Sequence, residues 1–180
     1  MAATNRPAWV ACALAAGGTA ALCVPAWITG LPVVAPSLGP SLLLAAAAPG
    51  TRESAPTTLA IGHGIAVAAT VATLAAFRLL EEPSALVGGV TVARMIAVPV
   101  ALAATLAGML IAGRFHPPAG ATTLLVALGI VRSSDVLVLV ASIAYAAGVV
   151  ALFPRAAKRF TAQLPRSRTR DGGRHRASRR

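Results

Sequence analysis

Arg114-Phe-His-Pro-Pro-Ala-Gly-Ala-Thr-Thr-Leu-Leu-Val-Ala-Leu-Gly129 decides how the chain is read, because it sets a histidine, two prolines and a glycine between two strongly apolar runs. Pro117 and Pro118 have no backbone N–H, and each biases the residue before it toward extended geometry. A helix arriving through residues 90–113 therefore stops here. Pro118 can open a new helix, where its missing donor costs nothing. A helix over residues 118–131 is about 20 Å long, whereas a bilayer core needs about 30 Å. The stretch is predicted to be a broken, sub-length membrane helix with His116 and Arg114 at its N-terminal end.

The composition fits a membrane setting. The 180 residues are 57% hydrophobic, with a mean hydropathy of +0.76 and 12% charged residues, against about 25% charged in soluble domains. Aromatics are scarce, and the abundant Ala, Val, Leu and Gly suit helices whose backbones approach closely. Residues 8–28 carry no charge, and Trp9 and Trp27 lie about 27 Å apart in a helix, one ring for each bilayer interface. Arg6 would serve as the n-region of a signal peptide, but the apolar run is too long, so a retained anchor is expected. Cys12 and Cys23 share that run about 16 Å apart, too far for a disulfide, and no metal-ligand spacing occurs.

Outward from the opening stretch, the chain alternates long and short apolar runs. After a break at residues 30–36, containing Pro36, a second short helix is predicted over 37–48, stopped by Pro49-Gly50. Pro40, like Pro36, Pro117 and Pro118, is read as a structural break. A polar loop at 51–58 leads to a long helix at 59–80, with His63 one turn inside and Arg78 at the far end. Glu81-Glu82-Pro83-Ser84 is a turn. Residues 90–113 span again, with Arg94 in the first turn. Arg132-Ser-Ser-Asp135 is a turn, and 136–153 form the last span, ended by Pro154. Arg78, Arg94 and Arg132 read as topological anchors or lipid contacts.

A shift of 81 residues lays Pro36 on Pro117, Gly39 on Gly120, Ser41 on Thr122, and Leu43-Leu44 on Leu124-Leu125. It also lays the flanking long runs on one another. The chain thus divides into a transmembrane domain at 1–154, with repeat halves at about 8–80 and 90–154, and a tail at 155–180. Paired Pro/Gly-interrupted segments in corresponding positions are the best sequence pointer to a transporter binding site. The tail holds +9 of the net +11 charge. Its composition predicts disorder, and its position after a membrane segment favours a cytoplasmic place beside anionic headgroups over nucleic-acid binding.

A helix that begins inside a membrane leaves up to four N–H groups unpaired beside a partial positive charge. Two such ends, with His116, His63 and Arg114, make a candidate site for a small anion. Ser37, Ser41, Thr122 and Thr123 would supply hydroxyls, and Gly39 and Gly120 close backbone approach. The bland reading is that the Ser and Thr side chains only satisfy helix breaks. An ionisable group in a membrane segment is costly without a task, which favours function for His116. His63 and His116 have no third partner that recommends a metal. No nucleophile, paired membrane carboxylates or phosphate loop suggests an enzyme, and no cofactor is implied.

His116-Pro-Pro-Ala-Gly-Ala-Thr-Thr123 resembles the signature of the HPP family of bacterial and plastid membrane proteins. Ala35-Pro-Ser-Leu-Gly-Pro-Ser41 resembles that family's upstream element, and Gly62-His63 stands where the family carries a Gly-His pair. Where the family has Pro-Arg-Asn before that helix, this chain has Pro56-Thr57-Thr58. The resemblance covers about residues 8–153 and implies transport, since plastid and cyanobacterial relatives are associated with nitrite.

The reading is an all-α polytopic membrane bundle in the cell membrane, with four long transmembrane helices, two short broken helices and the tail in the cytoplasm. Helix length favours re-entrant short helices and four crossings. The alternative is six spans in an inverted repeat. The expected function is transport of a small solute, anions first. The rival is a membrane scaffold or lipid-interacting protein, and self-association into a homo-oligomer stays open.

Overall fold

The computed structural model describes residues 7–30 and 36–162, and these residues are helical throughout, without strands. The long helices are α1 (Ala8–Thr29), α3 (Pro56–Ala76), α5 (Val92–Ile111) and α7 (Val136–Ala162), with short α2 (Leu38–Ala47), α4 (Ala85–Gly88) and α6 (Ala119–Ala127) between them. The four long ones are long and apolar enough to cross a membrane. Most of the expected break at 30–36 and the tail from 163 onward lie outside the described residues.

Local chemistry explains the boundaries. Pro56 sits in the first turn of α3, where no N–H is needed, so the helix starts inside the segment read as a polar loop. Consequently His63 lies two turns in rather than one. Thr91 caps α5 by accepting the Arg94 N–H at 3.3 Å. Helix α6 stops short of the expected Val131 because Gly129 turns left-handed at φ 69°. The Ile130 and Gly129 N–H groups then return to the Leu125 and Val126 carbonyls, both at 2.9 Å, which closes the helix as a Schellman motif. Arg78 ends α3 in the same way at φ 57°, before the expected Leu80. Pro154 does not end α7, which continues to Ala162. Packing beyond the proline outweighs its lost hydrogen bond: Ala157 is buried, and the Phe160 ring meets Trp9 edge-on at 6.1 Å.

The path of the helices follows from contacts at two ends. At the Arg114 end, the Glu53 carbonyl accepts a hydrogen bond from His116 Nδ1 at 2.8 Å, joining the loop before α3 to the loop before α6. At the Arg94 end, the Ala85 N–H donates to the Leu128 carbonyl at 2.9 Å. There a groove of about 450 Å³ brings together Leu79 and Glu82 after α3, Arg94 of α5, Gly129 after α6 and Val136 of α7. So α6 leaves the Arg114 end and finishes at the Arg94 end, where α7 sets out. Helix α1 runs antiparallel to α7, since Trp9 meets Phe160 while Tyr145 donates to the Ala21 carbonyl at 3.2 Å. Ser37, at the start of α2, shares a groove with Leu124, Leu128 and Ile130, so α2 is antiparallel to α6. The two short helices therefore link opposite ends of the bundle. Eight residues between α6 and α7 help to make up the missing length.

One apolar cluster, including Leu14, Leu22, Leu42, Leu59, Ile143 and Phe153, runs through the bundle. Large apolar side chains also face outward: Trp27, Ile111 and Leu137 are each at least 80% exposed. An apolar exterior of this kind suits lipid rather than water.

Candidate functional site

Within this apolar bundle, fully buried polar side chains meet where α2, α3 and α6 come together. Ser41 lies one turn into α2, His63 two turns into α3, Thr122 one turn into α6, and His116 in the loop just before α6. All four are 0–1% exposed. Ser41 Oγ sits 2.8 Å from His63 Nε2 and 3.0 Å from His116 Nε2. The other ring nitrogens are also engaged, His63 Nδ1 with Thr122 Oγ1 at 2.6 Å and His116 Nδ1 with the Glu53 carbonyl at 2.8 Å. The rings themselves stand edge to face, with centroids 5.1 Å apart.

Gly62 makes this approach possible, because a Cβ there would lie 2.7 Å from His116 Cβ. Gly108 does the same for α5 against α3, where a Cβ would lie 2.7 Å from Ile65 Cγ2. Gly39 and Gly120 play no comparable part in bringing helices together. A Cβ at Gly39 meets open space, and one at Gly120 only an ordinary contact with Leu102 at 3.7 Å.

The remaining candidates fall around the cluster. Thr123 pairs with Thr105 of α5 at 2.8 Å. Ser37 is buried at the far end of α2 with its hydroxyl unpartnered, as is the hydroxyl of Thr58. Arg114 is partly exposed at the mouth of the bundle, 3.5 Å from Thr57 Oγ1. Pro36 is exposed, and Pro40 falls in the first turn of α2 without breaking it. Because α2 and α6 are antiparallel, their N-termini point in opposite directions on either side of the cluster, not into one shared pocket. Nor is the start of α6 a set of open donors. Its Ala119, Gly120 and Ala121 N–H groups turn back to the His116, Pro117 and Pro118 carbonyls at 3.0 to 3.1 Å. The Pro-Pro turn winds tightly enough to satisfy them.

Two motifs far apart in the chain, residues 35–41 and 116–123, thus meet through the Ser41–His116 hydrogen bond. A family model described as the HPP transmembrane region matches residues 2–164. The chain belongs to the HPP family. No curated protein and no solved structure matches it. This HPP protein is a multi-pass membrane protein.

A second buried polar centre in the HPP fold lies at the opposite end. Arg94 is 1% exposed, so it is neither the lipid contact nor the surface anchor that its place near a helix end suggested. Its guanidinium donates to the Ala127 carbonyl at 2.7 Å, to Pro83 at 2.8 Å and to Glu82 at 3.1 Å. The short helix α6 ends inside the bundle with carbonyls that need donors and a partial negative charge. Arg94 supplies both hydrogen bonds and charge. Gly129 leaves room for it, since a Cβ there would lie 3.0 Å from the guanidinium.

Proposed function

We propose that this HPP protein transports a small solute, a small inorganic anion before others, across the cell membrane. The observation that carries the reading is the Ser41–His63–His116–Thr122 cluster, where two ionisable side chains are buried together inside a membrane bundle. Ionisable side chains in such a place are expensive, and membrane proteins use them for solute and ion pathways. Nitrite is the anion that the family resemblance suggests.

The arrangement of the chain supports the same reading. We take the two halves as an inverted repeat with six crossings. The 81-residue shift carries α2 onto residues 119–128 and Ser41 onto Thr122. These two hydroxyls grip the two ring nitrogens of one histidine, His63. Packing pairs match under exchange of the halves: α1 on α2 with α5 on α6, α3 on α5 with α7 on α1, and α3 on α6 with α7 on α2. Inverted repeats that meet at a central polar site are a recurring transporter plan. Positive-inside bias puts the Arg114 end in the cytoplasm, because Arg52, Arg114, Arg155, Lys158 and Arg159 gather there. The basic tail beyond them would lie against anionic headgroups.

The test is nitrite uptake into proteoliposomes, with protein-free vesicles as the baseline. Wild-type protein is expected to raise uptake and His116→Ala to lower it while the protein still elutes as a folded species. No uptake above the baseline would favour the scaffold reading. Loss of folding in His116→Ala would mark His116 as a packing element.

A further inference from the structure

One backbone atom fixes every hydrogen in the buried chain. The Glu53 carbonyl has no hydrogen to give, so His116 Nδ1 at 2.8 Å is the donor. A neutral imidazole that donates from Nδ1 accepts at Nε2, so the Ser41 hydroxyl donates there at 3.0 Å. Ser41 has only one hydrogen, so its 2.8 Å contact with His63 Nε2 is filled from the histidine side. His63 Nδ1 is then an acceptor and takes the Thr122 hydroxyl hydrogen at 2.6 Å. Four hydrogens thus point one way, from Thr122 through His63, Ser41 and His116 to the Glu53 carbonyl.

The same atoms accommodate one more proton. Added at His63 Nδ1, it makes an imidazolium that donates to Thr122 and to Ser41. If His63 passes its Nε2 hydrogen to Ser41 while Ser41 gives its own to His116 Nε2, the charge moves to His116. His116 then donates to Ser41 and to Glu53, and Ser41 donates to the now neutral His63. Each heavy atom keeps its partner in both states, and Ser41 Oγ bridges the two rings. A second proton would set two cations with ring centroids 5.1 Å apart, so the pair holds one.

Charged groups stand at both ends of the bundle: Arg78, Glu81, Glu82, Arg132 and Asp135 lie in the segments of the Arg94 end, away from the pair, and the others, Arg94 itself apart, lie on the side that His116 reaches. Helices α2 and α6 carry no titratable side chain, and α3 carries only His63. Arg94 of α5 is held at the opposite end by carbonyls, and Tyr145 of α7 is turned to the Ala21 carbonyl. Arg155, Lys158 and Arg159 lie near the end of α7. Arg52, Glu53 and Arg114 stand on the two loops of the Arg114 end, where His116 reaches the loop backbone.

We propose that Thr122–His63–Ser41–His116 is a one-proton binding and relay site, and that the proton is the ion accompanying the solute. This rests on the transport reading above. It also says why an anion would travel with a proton. In the neutral chain every hydrogen is already committed, and the added proton supplies both a positive charge and a free donor.

The proton site is tested without any solute. Full-length protein with ¹⁵N-labelled histidine is placed in lipid nanodiscs, with His175→Asn removing the third histidine's signals. At alkaline pH the expected spectra show His116 as the Nδ1–H tautomer and His63 as the Nε2–H tautomer, and acidification adds one proton to the pair. Both rings in the same tautomer, or two protons taken up together, would overturn it. Coupling is read in proteoliposomes holding a pH-sensitive dye, with nitrite as the probe and protein-free vesicles subtracted. One proton entering per nitrite is expected. Nitrite entry without acidification overturns the relay and leaves the transport reading standing. No nitrite entry overturns the transport reading and the coupling with it, while the tautomers still decide the proton site.

Discussion

Gly62 sets the distance between two side chains that the sequence places more than fifty residues apart. A Cβ there would lie 2.7 Å from His116 Cβ, closer than two carbons approach, so Gly62→Ala must push the His116 loop off α3. Overpacking of this kind costs about 1–3 kcal/mol. The expected outcome is a lower melting temperature in detergent and weaker nitrite uptake. Gly64→Ala is the control, because its Cβ meets open space and alanine is the better helix former by about 1 kcal/mol. Equal melting of the two variants would refute the contact. At this scale the sequence already pointed to His63, His116, Ser41 and Thr122, since polar groups in apolar runs are visible as exceptions. It did not point to the Glu53 carbonyl, because a backbone acceptor has no residue signature. Thr105 was passed over although it is a lone hydroxyl in an apolar helix, the same kind of exception.

Four helices, α1, α3, α5 and α6, end on a left-handed residue, and they differ in what occupies it: Gly30, Arg78, Gly113 and Gly129. The left-handed region costs a side chain about 1 kcal/mol that glycine avoids. Arg78→Gly is therefore expected to raise the melting temperature, by the equivalent of about 0.5–1 kcal/mol. Gly129→Ala is expected to lower it by more, because the new Cβ would also press on the Arg94 guanidinium, 3.0 Å away. Thermal denaturation of the two variants side by side checks both, and opposite signs are required. These caps also explain what the sequence made legible among the elements. The existence and order of every helix except the four-residue α4 followed from the apolar runs. Their ends did not, because Arg78 carries no turn signal and Gly129 was read as part of a continuing run. Pro154 misled in the other sense: the contacts of Ala157 and Phe160 hold the helix beyond it, and such contacts appear only once the chain is folded.

Across the whole molecule, the course of the chain turns on how two short helices connect their ends. Length argued for a re-entrant course, since α2 and α6 are only about 13–15 Å long. That argument treats each helix as if it must span alone. In the fold, the segments flanking α6 share the crossing, Arg94 satisfies the carbonyls where it stops, and the Pro-Pro turn satisfies the N–H groups where it starts. A broken span is affordable inside protein because its ends meet partners there instead of lipid. The two courses predict opposite sidedness for the same loops. With six crossings, Glu53 lies on the side of the C-terminal tail and Glu81 on the other side. With re-entrant helices, Glu53 lies opposite the tail and Glu81 beside it. Single Glu53→Cys and Glu81→Cys variants, in a background with Cys12 and Cys23 replaced, separate these courses with an impermeant thiol reagent. The expected result in intact cells is labelling at position 81 and protection at position 53 until the membrane is permeabilised. The reverse pattern would return the short helices to the end they left, and the inverted repeat would fall with it.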